Sequence, residues 1–444
     1  MDMVSSLYHD HLAQLVRSGQ IPQARLDESV RRVLRLKFAL GLFDHPYTDE
    51  VHEAAAMLRP EAISLARTAA ERSLVLLKNT PGPNNAPVLP LSSDVHDIAL
   101  IGPLADDPPN MESLAKLGRN EDLISFRAAL SKHVGEQHLF CVRGAGITGG
   151  TDEDQAAAVA AAGKADVVVL VLGEDTGMSG EAASRSKLGL PGRQQELLEK
   201  VIATGKPVVL ILFSGRPLTL PWAFDHVPAV LAAWFPGIQA GPALVRTLYG
   251  ESNPSGRLVV SWPRSVGQEP LYYNALSTGR PAELANPPDD KYVSRYIDEQ
   301  NSPQFPFGHG LSYTSFRYDA TEVSRKQLKA SSLKAMLDGS GVRKPALTAS
   351  AEVTNTGSRA AEEVVQLYVR LQGTSVAQPV RALEGFRRVA LAPGETKKVT
   401  FAVEPDAFAM WNDRNQFAVE PAKVSIWISP DSAHGTAGAL EIVP

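Results

Sequence analysis

The sequence predicts an α/β domain built on a parallel-rich sheet, followed by an antiparallel β-sandwich. Three observations carry this reading. Short apolar runs recur at Ile98–Ile101, Val167–Leu172, Val208–Phe213, Ala229–Trp234 and Leu258–Trp262. Helix-like segments such as Asp154–Ala165 and Gln194–Thr204 lie between several of them, and strand–helix–strand alternation calls for a parallel sheet with helices on its faces. From about Ala346 the period becomes two, with Leu347, Ala349, Ala351 and Val353 alternating with Thr348, Ser350, Glu352 and Thr354. Short strands with that alternation and turns between them indicate a sandwich.

The elements follow in order. Leu7, Leu12, Leu15 and Val16 give one apolar helical face, broken by Gly19 and Pro22. Leu26, Val30, Val33, Leu34 and Phe38 give a second face, and Gly41 is a stop signal. So short a pair of helices cannot bury both faces alone and must pack on something larger. A helix is expected from Pro60, a good first helical residue, to Ser73, leading into Leu74-Val75-Leu76-Leu77. The joins after the central runs, Ile101-Gly102-Pro103, Phe213-Ser214-Gly215-Arg216-Pro217 and Phe235-Pro236-Gly237, are of a kind that lets backbone approach a ligand closely. Residues 264–316 have no period but are rich in Pro, Gly and Tyr. Aromatics such as Tyr272, Tyr273, Tyr292, Tyr296, Phe305, Phe307 and Tyr313 are poor disorder formers, so this reads as a connector that wraps over its neighbours. In the sandwich, Val364–Val369, Val399–Val403 and Val424–Ile428 are further strands, with Asn355-Thr356-Gly357 and Pro393-Gly394-Glu395 as turns.

Composition narrows the function classes. At 444 residues the chain has room for about three domains. A 44% apolar and 21% charged composition lets each bury a core. A net charge of -5 offers no basic surface for nucleic acid. Cys141 is the single cysteine, so no intrachain disulfide forms. No apolar run approaches a membrane span, and Asp2, His9, Asp10 and His11 stand where a signal peptide would need an apolar core. No P-loop, HExxH or cysteine cluster is present, and no metal site is expected.

One stretch concentrates chemistry. Val171–Pro191 reads VLGEDTGMSGEAASRSKLGLP, opening where the run Asp166–Leu172 ends at Gly173. A loop there lies outside the carboxyl end of its strand, where open α/β sheets bind ligands. It holds Glu174, Asp175, Glu181 and Arg185, a set suited to handling protons or hydroxyls. On chemistry alone any of the three acids could be the working group, and a solvated loop with Arg185 paired to a carboxylate is the plain structural alternative.

The chain resembles glycoside hydrolase family 3, in particular its bacterial periplasmic β-glucosidase branch. The resemblance rests on LRLKFALGLFDHPY, SLVLLKN, IALIGPLAD, GEDTGMSGEAASRS, FSGRPL, AAWFPGIQAG, YGESNPSGRLVVSWPRSVGQEPLYYN, KYVSRYIDEQNSPQFPFGHGLSYTSF and VRALEGFRRVALAPGE. It implies a (β/α)8-type barrel, an α/β sandwich and a fibronectin type III-like β-sandwich. On that pattern residues 1–50 are the closing helices of a truncated barrel and 51–84 a linker helix and strand. Residues 85–265 are the α/β sandwich, 266–315 the wrapping connector and 316–444 the fibronectin type III-like domain.

The resemblance also implies roles. Glu181, in the SxEAxSR portion of the loop, resembles the family's general acid/base. Arg185 and Glu174 are the implied substrate-binding residues. The family's nucleophile is a barrel aspartate upstream of the matched segments; no residue here inherits it, and Asp2 lies downstream of that motif. Near-relatives carry Gly-Ser-Trp after IGPLAD, whereas this chain reads Asn110-Met111-Glu112-Ser113-Leu114-Ala115-Lys116, which bears on the leaving-group subsite. Trp222, Trp234, Trp262, Trp411 and Trp427 read as core residues rather than sugar platforms. The implied activity is retaining β-glucosidase action on oligosaccharides or aryl glucosides, without a cofactor. Location would be periplasmic or extracellular. The implied partners are a carbohydrate substrate and either a barrel on another chain or a homo-oligomer. The rival reading is a non-catalytic fragment or carbohydrate-binding remnant of such an enzyme.

Overall fold

The apolar runs between residues 75 and 232 assemble into one six-stranded sheet. The protein is described by a computed structural model at residues 2–48, 50–82, 85–106, 122–282, 290–338 and 344–444. It divides into two compact units, one up to Ile63 and one from Ser64 onward.

In the first unit a turn of π-helix at Tyr8–Leu12 runs into α1 (Ala13–Arg17), and α2 (Gln23–Ala39) and α3 (Glu50–Ala56) follow. Gly19 at φ 74° and the extended Pro22 separate α1 from α2, and Gly41 at φ 67° turns the chain after α2, as glycine past a helix end commonly does. Asp2 accepts hydrogen bonds from the N–H groups of Ser5 and Tyr8, each at 3.1 Å, and from the Ser5 hydroxyl at 2.8 Å. Those bonds, the one from Tyr8 foremost, hold its carboxyl below the usual range. No residue of α1 or α2 is buried. Leu7, Val33 and Phe38 are exposed, and Leu12 and Leu15 are half-buried.

The second unit takes most of α4 (Pro60–Ser73) and then the sheet. Its elements are β1 (Val75–Asn79), β2 (Ile98–Ile101), α5 (Phe126–Val134), β3 (Leu139–Val142), α6 (Asp152–Lys164), β4 (Val167–Gly173), α7 (Gln194–Ile202), β5 (Val208–Phe213), α8 (Pro221–His226), β6 (Ala229–Ala232) and α9 (Ala240–Leu248). The strand order is β1-β6-β5-β4-β2-β3, parallel except for β1. The Ile98 and Val167 runs are therefore neighbours in one sheet, as the alternation predicts. All seven residues of β4 are buried. Val168, Leu170 and Leu172 enter the core on one face and Val167, Val169 and Val171 the core on the other. Burial on both faces explains why the strand reads as an unbroken apolar run. From β2 the chain moves outward to β3 and returns to β4 on the other side of β2. The reversal makes the carboxyl ends of β2 and β4 the switch point where ligands bind in open sheets.

The structure corrects the sequence reading in three places. Of Leu74–Leu77, set apart with the linker, Val75–Leu77 begin the edge strand β1, which continues through Asn79. Leu258–Trp262 forms no sheet strand, because its backbone bonds go to the connector: Leu258 N–H donates to His309 O and Trp262 N–H to Phe305 O, both at 2.8 Å. The four-residue apolar run of β3, as long as that of β2, is not picked out by the sequence reading; in the fold it is the outer strand of the sheet and three of its four residues are only partly buried.

The connector has little regular structure but touches both domains. Leu311 bridges Leu76, Leu276 bridges Pro379, and Tyr273 stacks on Phe307 with ring centres 4.0 Å apart. Beyond it lie β7 (Phe316–Tyr318), β8 (Glu322–Val323), β9 (Gln327–Lys329), α10 (Ala330–Asp338), β10 (Leu347–Asn355), β11 (Ala361–Gln372), β12 (Ala382–Leu391), β13 (Thr396–Val403), β14 (Ala409–Trp411), β15 (Phe417–Val419), β16 (Ala422–Ser429) and β17 (Gly438–Val443). One sheet runs β13-β10-β7, with β8 also on β10; the other runs β12-β11-β16-β17-β9. Their inner faces meet over Val353, Val365, Leu367, Ile426 and Ile428. No described helix is long and apolar enough to cross a membrane.

An ion pair joins the α/β domain to the sandwich. Arg257 Nη2 donates to Glu363 Oε2, and the Tyr318 hydroxyl donates to Glu363 Oε1 at 2.6 Å. The two charged side chains are 9% and 2% exposed. Removing one member of such a pair strands the other without water. Glu363→Leu is therefore expected to cost about 3–5 kcal/mol in chemical denaturation, and Arg257→Met added to it to recover most of that loss. In the first unit the exposed apolar residues make self-association the expected behaviour, since large open patches are unusual in monomers. Light scattering on the purified chain should give a mass above the monomer, and a monomer that binds no apolar dye would contradict this.

Candidate active site

The loop after β4 is held from its first residue. Gly173 sits at φ 135°, and a Cβ there would lie 1.9 Å from Phe213 O, so no other residue fits without moving β5. The buried Gln194 side chain completes the strand end: its Oε1 accepts from Gly173 N–H at 2.8 Å and its Nε2 donates to Gly173 O at 2.9 Å and Ile147 O at 3.0 Å. Glu174 N–H then donates to Phe213 O at 2.8 Å. Its side chain thereby turns beneath the loop.

Glu174 has no exposed surface. Arg185 Nη1 donates to its Oε1, and the Ser214 hydroxyl donates to Oε2 at 3.0 Å. Arg216 Nε lies 3.3 Å from Oε2, an ion pair whose direction does not make a hydrogen bond. A buried carboxylate is costly unless such partners surround it. Glu174, expected as a substrate-binding residue, is thus out of reach of a ligand in this conformation and instead anchors two guanidinium groups. Arg185, 18% exposed at its side chain, spends a second donor on Gly189 O at 3.1 Å.

Arg216, from the loop after β5, reaches further. Its Nη2 donates to Met178 O and, at 2.8 Å, to Ala183 O. Those carbonyls flank Glu181, so one guanidinium clamps both legs of the turn that carries it. Gly215 makes the approach possible, because a Cβ there would stand 1.9 Å from Ser179 Oγ. The turn itself is strained, with Ala182 in the left-handed region at φ 61°. At its tip Glu181 is exposed, and among the described residues its carboxylate meets no hydrogen-bond or ionic partner. Asp175 is half-buried. The three acids of the loop therefore differ sharply: one is wholly engaged, one half-buried, one presented to solvent.

Sequence reading did not single out Ser214, Arg216 or Gln194 as site residues. The available signal was the join Phe213-Ser214-Gly215-Arg216-Pro217, noted only for close backbone approach. Of the tryptophans, Trp262 is buried and donates from Nε1 to Leu218 O at 2.7 Å. Trp411 is 63% exposed, contrary to the core reading, because it lies on the small hairpin β14–β15 against Phe417. Trp222, Trp234 and Trp427 are intermediate, and Trp234 has a φ of 58°. Asn110–Lys116 lie outside the described residues.

Comparison with known proteins fits this geometry. Residues 74–313 match the glycosyl hydrolase family 3 C-terminal domain. The chain belongs to glycoside hydrolase family 3. Residues 363–432 match the fibronectin type III-like domain found beyond it. A periplasmic beta-glucosidase of Salmonella typhimurium is 37% identical, over 100% of this chain and 59% of its own length. A beta-xylosidase of Formosa agariphila is 35% identical over 92% of this chain and 54% of its own length. The crystal structure of a Listeria innocua beta-glucosidase in complex with glucose superposes with a TM-score of 0.86 at 34% identity, covering 100% of this chain and 58% of that one. The family 3 chain described here therefore spans less than two thirds of the length of these relatives.

The Arg216 clamp has a direct test. In Arg216→Met, amide hydrogen exchange over residues 178–187 should quicken tenfold or more, while β4 and β5 stay protected. Unchanged exchange in the loop would remove Arg216 from its support.

Proposed function

We propose that this chain supplies the general acid/base of a retaining β-glucosidase, and that the acid/base is Glu181. The observation that carries the reading is the contrast within the loop: a free, exposed carboxylate on a turn clamped at both ends, at the switch point of an open sheet. A retaining glycosidase needs two carboxyl groups about 5–5.5 Å apart across the scissile bond. In the first step Glu181, protonated, gives its proton to the glycosidic oxygen as the bond to the anomeric carbon breaks and the nucleophile bonds that carbon. In the second, the Glu181 carboxylate takes a proton from water as the oxygen of that water displaces the nucleophile. Clamping by Arg216 keeps one carboxyl in register for both transfers. Arg185, partly exposed, is the candidate to reach a sugar hydroxyl, and Glu174 orients it.

The nucleophile we assign, by the family's pattern, to an aspartate of a barrel domain on a longer polypeptide or a second chain. The terminal β-linked glucose and an exported location are extensions from the relatives in the same sense. The rival reading, a folded but non-catalytic module, describes the 444 residues taken alone.

Two measurements separate these. The chain by itself should not turn over an aryl β-glucoside, because a general acid alone contributes only about 10²–10⁴-fold, far short of enzymatic acceleration. With the barrel supplied, Glu181→Gln should cripple substrates with poor leaving groups and spare activated ones, and azide should partly restore the second step. Leaving-group dependence in Glu174→Gln with wild-type behaviour in Glu181→Gln would reassign the acid. Turnover by the chain alone would place the nucleophile among its own residues.

A further inference from the structure

Trp411 takes no part in the sandwich core or in the candidate active site. It stands on the hairpin β14–β15, directly across from Phe417. The two ring centres are 5.8 Å apart and the ring planes meet at 52°. An aromatic pair across two strands stabilises a hairpin, and that is the plain structural use of these rings. It leaves much of both in water: Trp411 is 63% exposed and Phe417 50%.

The hairpin is a firm mount. Met410 is buried in the sandwich core, so the period of two along the strand carries Trp411 to the outer face. Asn412 closes the turn. Its N–H donates to Gln416 O, and its Oδ1 accepts from the N–H groups of Arg414 and Gln416, each at 3.0 Å. Asn415 takes a left-handed φ of 56°, which asparagine tolerates. At the base, Glu420 accepts from Ser375 N–H at 2.8 Å and from the Ser375 hydroxyl at 2.9 Å, which ties the end of β15 to the loop after β11. The rings are thus held in place before anything meets them, and a ligand pays little ordering cost there.

We propose that this hairpin binds a neutral oligosaccharide chain, one pyranose against each ring. Size, charge and shape select that occupant. The open part of the two rings is on the order of 250 Å2. A stable protein interface takes about 800 Å2 from each partner, so the pair suits a small ligand better than another protein. The turn carries Asp413 and Arg414, both exposed and opposite in sign, with Asn415 and Gln416 exposed beside them. Such a rim donates and accepts hydrogen bonds without favouring either sign of ligand. A pyranose has C–H groups on its face and hydroxyls around its edge, which matches an electron-rich ring face inside a polar rim. Nucleobases also stack on aromatic rings, but nucleic acid needs a basic groove along its backbone, and this chain has a net charge of -5. The 52° between the planes suits a chain that twists from one sugar to the next rather than a flat crystalline surface. No residue is shared with the Glu181 loop, so the inference stands whether or not Glu181 is the acid/base.

The test is titration of the full chain, by calorimetry and tryptophan fluorescence, with cellopentaose, laminaripentaose, glucose and adenosine monophosphate. At least one pentasaccharide should bind saturably, shift the emission to the blue, and bind at least tenfold more tightly than glucose or the nucleotide. Trp411→Thr keeps a strand former at an exposed position and should weaken that binding about tenfold and remove the shift. Trp411→Tyr keeps a flat ring and should restore much of the calorimetric affinity. Phe417→Thr should weaken binding as well, and Glu181→Gln should leave it unchanged. The proposal fails if neither pentasaccharide binds, or if binding is indifferent to Trp411→Thr. The nucleotide binding as tightly would overturn the sugar assignment, and glucose binding as tightly would overturn the two-ring chain. A fall in mass by light scattering in Trp411→Thr, with sugar binding unaltered, would give the rings to a second copy of this chain and overturn the proposal too.

Discussion

Everything at the candidate active site depends on one buried carboxylate. Glu174 follows directly on β4, where the strand has just ended in a glycine that only glycine can occupy. With no access to water, its charge is tolerable only inside a ring of donors, and Arg185, Ser214 and Arg216 form that ring. The constraint runs outward from there. Arg216 is fixed by Glu174 and in turn fixes Met178 O and Ala183 O. The turn between those carbonyls is thereby tied at both legs, and Glu181 at its tip faces solvent. A buried charge pair is weak support for stability, but it is well suited to specifying one conformation of a loop, and that is the use this loop makes of it.

The rest of the α/β domain serves the same end. The rigid frame is the sheet, with β4 and β5 buried on both faces. The loops after β4 and β5 converge because those strands are neighbours. The sandwich is tied on by Arg257, Glu363 and Tyr318 rather than by a flexible joint, and the connector bonds to both sides. Support of this kind bears on the acid/base role proposed for Glu181, since displacement by about 1 Å can cost on the order of 10²-fold in rate.

Much of this was legible in the residues. Buried parallel strands announce themselves as unbroken valine and leucine runs, so β2, β4, β5 and β6 could be read directly. The alternation of β10 marks its core face in the same way, although Ser350 and Thr354 on the other face are buried too. The site loop stood out because three acids and an arginine follow a strand. What could not be read was which acid is buried among donors and which is presented to solvent. That depends on Arg216, which is far from Glu174 in the chain and reaches it only through the pairing of β4 with β5. Strand-like composition misled at Leu258–Trp262, where Pro263 and the connector take the backbone elsewhere, and at Trp411, whose small hairpin leaves the ring in solvent. The run of β3, as long as that of β2, was passed over, and it lies at the edge of the sheet with three of its four residues partly exposed.

The central claim is that Glu174 and Arg216 act as one unit in holding the loop. A double-mutant cycle in chemical denaturation measures this: Glu174→Gln, Arg216→Met and the pair together. If the two side chains are coupled as described, the double variant should be less destabilised than the sum of the singles by at least about 1 kcal/mol, within the range seen for contacting buried groups. Single effects that add to within about 0.3 kcal/mol would mean that the two residues act independently, and the account of how Glu181 is held would be wrong.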